Sequence, residues 1–350
     1  MAKNSKEEYF ALFDKKKNLF HEEFQNLAEI EYFKSPHQNF RYRAEFGLIE
    51  SKNKKMFAMN IGGKKTAIHA FPIASRQIQE LMSSLILYIN NNSEISEKLF
   101  QVEFQSSRKN EAMVGLIYHK ELGSKWEKEA ELIGRELNIS IVGRSKNQKV
   151  IIGKNYVTET YKYLNNYFDL RLFEQCFSQT NPFICDDILD WVSRSSSGAS
   201  GDIMELHCGV GTFTIPLSHL YNKILATENS RPSIKGLKEN IDLNDCKNIH
   251  SARLSGKETF EAYYGMRKFR RLNDVDLNSF NIETVFLDPP REGLDSFTIT
   301  NLQKIENIIY ISCGFKSFKR DINKLQKTHE IVKLAMFDQF PFTDHVESGA

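Results

Sequence analysis

The five cysteines of this 350-residue chain (Cys176, Cys185, Cys208, Cys246 and Cys313) form no CxxC pair and no metal-ligand spacing. Odd in number and scattered, they argue against a disulfide framework and against zinc or iron–sulfur ligation, so no metal site is expected. No apolar run approaches the roughly 20 residues that span a membrane. The amino-terminal stretch MAKNSKEEYFALFDKKKNLF is charged and lacks a secretory apolar core, so a cytoplasmic protein is expected. Internal repeats and low-complexity tracts are also missing. What remains is an ordinary globular composition, 41% hydrophobic and 26% charged, in a chain long enough for two domains.

The net charge of +2 is unevenly spread. Residues 1–178 carry 27 Lys and Arg against 22 Asp and Glu, a balance of +5, whereas the remainder carries 20 against 23, a balance of −3. The basic excess gathers in SKNKKMFAMNIGGKKTAIHAF and in IVGRSKNQKVIIGKN. A basic half joined to a slightly acidic half fits a polyanion binder coupled to a small-molecule site, although solvated hairpin ends account for such runs equally well.

The same division shows in the patterning. Residues 5–30 read as a helix, followed by strand-like runs YRAEFGLIE, KMFAMNI and TAIHAF between Lys- and Gly-rich turns. SRQIQELMSSLILYINN has apolar residues at helical spacing, with Ser75 as its N-cap. Strands LFQVEFQSS and AMVGLIYHK, the charged helix SKWEKEAELIGREL, and strands ISIVGRS and KVIIGKN complete an α+β pattern. From residue 183 strands alternate with helices: IMELHC, KILATE, NIHSAR, TVFLDPP, NIIYISC and VKLAMFDQF. That rhythm predicts an α/β fold with a doubly wound, mostly parallel sheet, and the boundary is placed near residue 178.

Chemistry-bearing residues collect at the predicted carboxyl ends of these strands, the edge where open α/β sheets bind ligands. IMELHCGVGTF is a strand, a tight glycine turn and a helix start, without the third glycine of the dinucleotide fingerprint. KILATE ends on Glu228, where a carboxylate can accept the two ribose hydroxyls of an adenosine. FLDPPREGLD presents Asp288 before two stiff prolines. In enzymes that methylate exocyclic amines an aromatic residue usually follows such prolines, but Arg291 stands here, which disfavours amine methylation. YISC ends on Cys313, and FDQFPFTDHVESG adds Asp338, Asp344, His345 and Glu347. A thiol with a nearby carboxylate is what alkylation at C5 of a pyrimidine requires. Thiolate addition at C6 makes C5 nucleophilic, C5 takes a methyl group from S-adenosylmethionine, and a base then removes the C5 proton so that the thiol can leave.

In this order, RYRAEF, LFQVEF, YHK, CFSQTNPF, LHCGVGTF, LATE, FLDPPREGLD, YISC and AMFDQFPFTDHVESG cover residues 41–349, and the chain resembles the bacterial tRNA (uracil-5-)-methyltransferase family. The resemblance implies an S-adenosyl-L-methionine-dependent enzyme that makes ribothymidine at position 54 in the T-loop of tRNA. Residues 1–178 would be an α+β RNA-recognition domain for the T-arm and residues 179–350 a Rossmann-like methyltransferase domain, in a monomer. It implies Cys313 as nucleophile and Glu347 as the proton-abstracting base. Gln179, His207, Thr212, Glu228 and Asp288 would hold the cofactor. Phe100 and His119 would meet the T-loop, where aromatic rings stack on unpaired bases, and Arg41 and Arg43, alternating along a strand, would meet phosphates.

The chain departs from the family pattern at SCGF, where SCNP is usual, and at Thr212 and His207, where Asn and an aromatic residue are usual. Asp288 and Glu347 beside Cys313 are expected to raise its thiol pKa, so activation is assigned to substrate binding with help from Arg291. Two rival readings are a ribosomal-RNA uridine C5-methyltransferase on the same scaffold and an RNA-binding protein with a decayed methyltransferase site.

Overall fold

The computed structural model describes residues 5–350. The chain divides into two compact units. One comprises the chain up to His37 together with Tyr161–Leu170 and Cys176–Ala350; the other comprises Gln38–Thr160 and Arg171–Gln175.

The second unit is built on a seven-stranded sheet. Its strands are β2 (Arg43–Ser51), β3 (Lys54–Ile61), β4 (Lys64–Ala67), β5 (Leu99–Ser106), β6 (Ala112–Tyr118), β7 (Ser140–Ser145) and β8 (Gln148–Ile152), in the order β4-β3-β2-β5-β6-β7-β8. Neighbours are antiparallel except β6 and β7, which run parallel and are joined by a helix, Ser124–Glu136. That connection follows from geometry, since parallel neighbours need a long crossover. A second helix, Arg76–Asn91, buries Ile78, Leu81, Met82, Leu85 and Ile89, one stripe at helical spacing. The Ser75 hydroxyl caps it by accepting the Ile78 N–H at 3.2 Å, as its sequence predicts. Phe46, Phe57 and Phe104 fill the core beneath.

The first unit carries an eight-stranded sheet. Its members are β1 (Ile30–Phe33), β11 (Asp202–Leu206), β12 (Ile224–Thr227), β13 (Ile249–Ala252), β14 (Ile282–Leu287), β15 (Asn307–Ser312), β16 (Leu334–Phe337) and β17 (Glu347–Gly349), numbered after a hairpin, β9 (Tyr156–Tyr163) and β10 (Asn166–Phe173), that the sequence patterning missed. The order is β1-β16-β17-β15-β14-β11-β12-β13, and every pairing is parallel except those of β17. Helices connect successive strands, giving the doubly wound α/β arrangement read from the sequence.

The sequence boundary near residue 178 sets the amino-terminal segment with the basic half, and here the structure differs. β1 pairs in parallel with β16, Ile30 to Leu334 through Phe33 to Phe337, and so extends the larger sheet. The preceding helix α1 (Lys6–Phe24) buries Tyr9, Phe13, Phe20 and Phe24 in the same core as Tyr310 and Phe318. Its apolar face is aromatic and spaced four or seven residues apart, a stripe that needs a hydrophobic partner surface.

Candidate functional site

Register places the site. Leu206 aligns with Thr227 on one side and with Leu287 on the other, and Leu287 aligns with Tyr310. The residues just beyond these strand ends, His207, Glu228, Asp288 and Cys313, therefore share one edge of one sheet. β17 enters antiparallel between β15 and β16, with Ser348 opposite Ser312 and Glu347 opposite Phe337. Continuing that ladder by one residue sets Glu347 across from Cys313. The sequence reading brought Cys313 and Glu347 together only by resemblance; an unforeseen three-residue strand is what does it.

The polar groups here are buried to a degree that changes their chemistry. Glu347 is 2% exposed, and its carboxyl is held well above the usual carboxylate range by burial first and by Asp288 second, with Arg291 acting the other way. Burial pushes Asp288 up to about 7. The Cys313 thiol rises from 9.0 to about 11 through burial, then Glu347, then Asp288, again opposed by Arg291. Cys313 is the one cysteine of the five that retains partial exposure. Cys208, also at a strand end, is fully enclosed and its thiol is pushed far up by burial, so it is inert.

Gln179 meets Asp288 at this edge. Its Nε2 donates to Asp288 Oδ2 at 3.4 Å, while its Oε1 accepts from Gln339 Nε2 at 2.7 Å. Gln339 is a site residue that sequence reasoning passed over. It is 1% exposed and its Oε1 is buried without a partner. The signal was its place in DQFPF, immediately after the strand β16. Glu205 was also missed: it is wholly buried, neither carboxylate oxygen has a hydrogen bond of ordinary geometry, and burial pushes it up to about 8.

The glycine turn and Glu228 form the other side of the crevice. Glu228 Oε2 accepts the Gly209 N–H at 3.2 Å and Oε1 accepts the Ser230 N–H at 2.7 Å, which fixes the carboxylate at the end of β12. Each carboxylate oxygen has a second lone pair, so both remain able to accept a hydroxyl. Gly211 has φ +97°, and a Cβ there would lie 2.7 Å from Leu237 Cδ1. His207 adopts φ +62°, and burial lowers its pKa, so its imidazole is neutral. Thr212 follows in the same turn, partly exposed. A pinned diol acceptor, a narrow glycine turn and a neutral lining fit an adenosine-bearing cofactor such as S-adenosylmethionine.

The departure at SCGF has a steric cause. A Cβ on Gly314 would stand 2.5 Å from the Arg291 carbonyl oxygen and 2.4 Å from Ser317 Oγ. Ser317 Oγ in turn donates to that carbonyl at 2.8 Å. Gly314 thus lets the Arg291 loop close against the turn that follows Cys313.

In the smaller unit, Phe100 and His119 stack with centroids 3.9 Å apart and planes 10° apart. The β5–β6 register shifts between Leu99 and Gln101, so Phe100 is the extra residue of a β-bulge, a device that re-aims a side chain. His119 is exposed. The pair lines a concavity of about 1070 Å³ shared with Arg144, Lys146 and Lys149. Arg41 and Arg43 lie elsewhere and are engaged. Arg41 precedes β2, is half-buried and donates from Nε to the Arg43 carbonyl at 2.9 Å; Arg43 donates to the Glu174 carbonyl at 3.2 Å. Among the described residues no group of three or more His, Cys, Asp or Glu is placed to hold a metal ion, and no helix is long and apolar enough to cross a membrane.

A doubly wound sheet with a glycine turn, an acidic second strand end and a thiol at a third defines a Rossmann-like methyltransferase-type fold that carries a cysteine at its ligand edge. The comparisons agree. The model of the tRNA (uracil-5-)-methyltransferase family matches residues 8–350, and the chain belongs to this family. It is 42% identical over 328 residues to the tRNA/tmRNA (uracil-C(5))-methyltransferase of Acinetobacter baumannii (strain ACICU), covering 91% of each chain. It is 41% identical over 342 residues to the protein of the same description from Saccharophagus degradans, covering 96% of this chain and 94% of the relative. Among solved structures it resembles Pyrococcus abyssi tRNA (uracil-54, C5)-methyltransferase in complex with S-adenosyl-L-homocysteine. The TM-score is 0.74 at 21% identity, over 98% of this chain and 83% of that one, a likeness of fold.

Proposed function

We propose that the chain methylates C5 of the uridine at position 54 in the T-loop of tRNA through a covalent adduct on Cys313. The observation that carries this reading is the β15–β17 register, which sets the partly exposed thiol opposite the buried carboxylate. Cys313 Sγ adds to C6 of uracil and shifts the ring electrons so that C5 becomes nucleophilic. S-adenosylmethionine supplies the methyl group that C5 accepts. Glu347 then takes the C5 proton, the C5–C6 double bond re-forms, and Cys313 leaves as thiolate. The raised proton affinity of Glu347 suits this work, since a carboxylate in the ordinary range is a weak base.

Gln179 holds the Asp288 carboxylate, and Asp288, Glu228, His207 and Thr212 form the cofactor side. Phe100 and His119 offer the stacked surface for an unpaired loop base, with Arg144, Lys146 and Lys149 around them. Arg144 pairs with Glu103 and Glu174 and Lys149 with Glu174, while Arg41 and Arg43 bond to backbone carbonyls within the unit, so Lys146 carries the phosphate contact in this reading.

The test is incubation of unmodified tRNA with methyl-labelled S-adenosylmethionine, followed by nucleoside analysis and denaturing gels. Wild-type protein yields ribothymidine at position 54 and Cys313→Ala yields none. Glu347→Gln, which cannot act as a base, accumulates an enzyme–RNA species that survives denaturation. Ribothymidine formed by Cys313→Ala would sink the mechanism, and normal turnover by Glu347→Gln would sink the assignment of the base.

A further inference from the structure

We infer that Lys16, on the amino-terminal helix, is a positioning residue for the proton-abstraction step, holding the loop that aims Glu347. The inference rests on Glu347 being the base. Lys16 is a lysine in the interior, its side chain 3% exposed, and its ammonium bonds the equally buried Asp338 carboxylate. The same ammonium donates to the Phe340 carbonyl at 3.2 Å and to the His345 carbonyl at 3.2 Å. Its three donors are thus fully used, and all three acceptors lie in the nine-residue segment between β16 and β17. Asp338 and Phe340 are at the start of that segment and His345 is two residues before Glu347, so a single cation closes the loop across its base. The Tyr9 hydroxyl, on the same helix, also faces this carboxylate, so the Lys16 ammonium is the cation that holds Asp338, with Tyr9 beside it.

A buried charge pair is not an efficient way to stabilise a fold, because desolvation offsets most of the attraction. Tying both ends of a loop to one point does something that an apolar contact cannot: it sets where the next residues begin their strand. β17 is only three residues long, so its own ladder gives little hold on its first residue, Glu347. The other face of the same segment confirms the demand for position. Gln339, next to Asp338, donates to Gln179, which donates to Asp288 in the site. Exposed ties add little by comparison, such as the Lys15–Asp344 pair at 3.2 Å, whose side chains are largely in water.

Lys16→Met removes the clamp but strands the Asp338 carboxylate, so the fold itself is at risk. Lys16→Met combined with Asp338→Asn removes both charges together and keeps a near-native volume. The assay uses full-length protein and T-arm RNA carrying tritium at uridine C5, following tritium release, methyl incorporation and the covalent adduct on denaturing gels. Melting temperature and S-adenosylmethionine affinity check the fold. The double variant is expected to bind cofactor and form the adduct as wild type does, while tritium release falls about a hundredfold, the usual cost of a base displaced by about 1 Å. Adduct should accumulate accordingly, a split that a general loss of folded protein does not produce. Equal losses of adduct formation and tritium release, or wild-type release from a folded double variant, overturn the inference. Glu347→Gln, run in parallel, reads the base separately: trapping there with free turnover in the double variant sinks the Lys16 clamp alone.

Discussion

Removing the Glu347 charge should make Cys313 more reactive before any substrate is present. The thiol stands at about 11, two units above its ordinary 9.0, with burial as the largest cause, Glu347 the second and Asp288 the third. At pH 8 a thiol with that pKa is about 0.1% thiolate. Since burial outweighs either carboxylate, Glu347→Gln should lower the midpoint by up to about one unit, an effect read in the alkaline range where the thiol titrates and the Glu347 carboxyl is ionised. Arg291 opposes the carboxylates, so Arg291→Gln should move the midpoint up. The two substitutions have opposite signs, which separates charge from loosened packing, because packing defects would favour reaction in both.

Iodoacetamide alkylation against pH, followed by peptide mass spectrometry, reads this directly. Cys176, Cys185, Cys208 and Cys246 are buried, so Cys313 alone should react in the native protein. With tRNA present, wild-type adduct formation should rise with pH through neutrality and beyond pH 8, because the thiol is protonated over that range. A midpoint that is unchanged or higher in Glu347→Gln would refute the placement of that carboxylate against the thiol. A lower midpoint in Arg291→Gln would refute the role given to the guanidinium.

Gly211→Ala should destabilise the first unit by about 1–3 kcal/mol, since φ +97° is unfavourable for alanine and the methyl group meets Leu237; urea denaturation at an unchanged midpoint would count against the turn as described. Phe100→Ala and His119→Ala should each weaken T-arm RNA binding roughly 5- to 150-fold, the range for loss of one stacked base, with S-adenosylmethionine affinity unaltered. Unchanged RNA binding by both variants would remove the stacked pair from the RNA surface.

Much of this was legible from sequence because strand periodicity and punctuation agree. KILATE, TVFLDPP and NIIYISC are short apolar runs that each stop on a polar residue, and a parallel sheet makes those stops neighbours. α1 was read as a helix but not assigned to its sheet, since nothing local says which apolar surface an aromatic stripe will meet. β9 and β10 do alternate, with Val157, Glu159, Tyr161 and Tyr163 on the buried face of one and Phe168, Leu170 and Leu172 on that of the other, but a charged Glu159 among the inward residues masks the pattern in β9. β17 was illegible for a different reason: ESG has no strand pattern, and it is a strand only because β15 and β16 leave a slot between them. Lys16 is one of three consecutive lysines on a charged helix, and nothing in that run marks it for burial. Its burial depends on an aspartate 322 residues away.

Topology explains why the thiol and the carboxylate can meet. Parallel strands deliver residues to the ligand edge one crossover at a time, so the side chains arriving there are separated by helices and come from below. A base that must work beside the nucleophile of the neighbouring strand needs to be near that edge on the adjacent ladder. β16 reaches the edge at Phe337, and a return strand starting there is necessarily antiparallel and necessarily begins at the edge. Glu347 is the first residue of that return, so its height on the sheet is set by how the segment after Phe337 is closed. The loop is free to vary in length and sequence only as far as the closure keeps Glu347 level with Cys313. A one-residue slip would turn the carboxylate to the other face of the sheet and present Val346 or Ser348 to the site. The demand on the loop is therefore for register, and an interior cation bonded at both of its ends is placed to meet it.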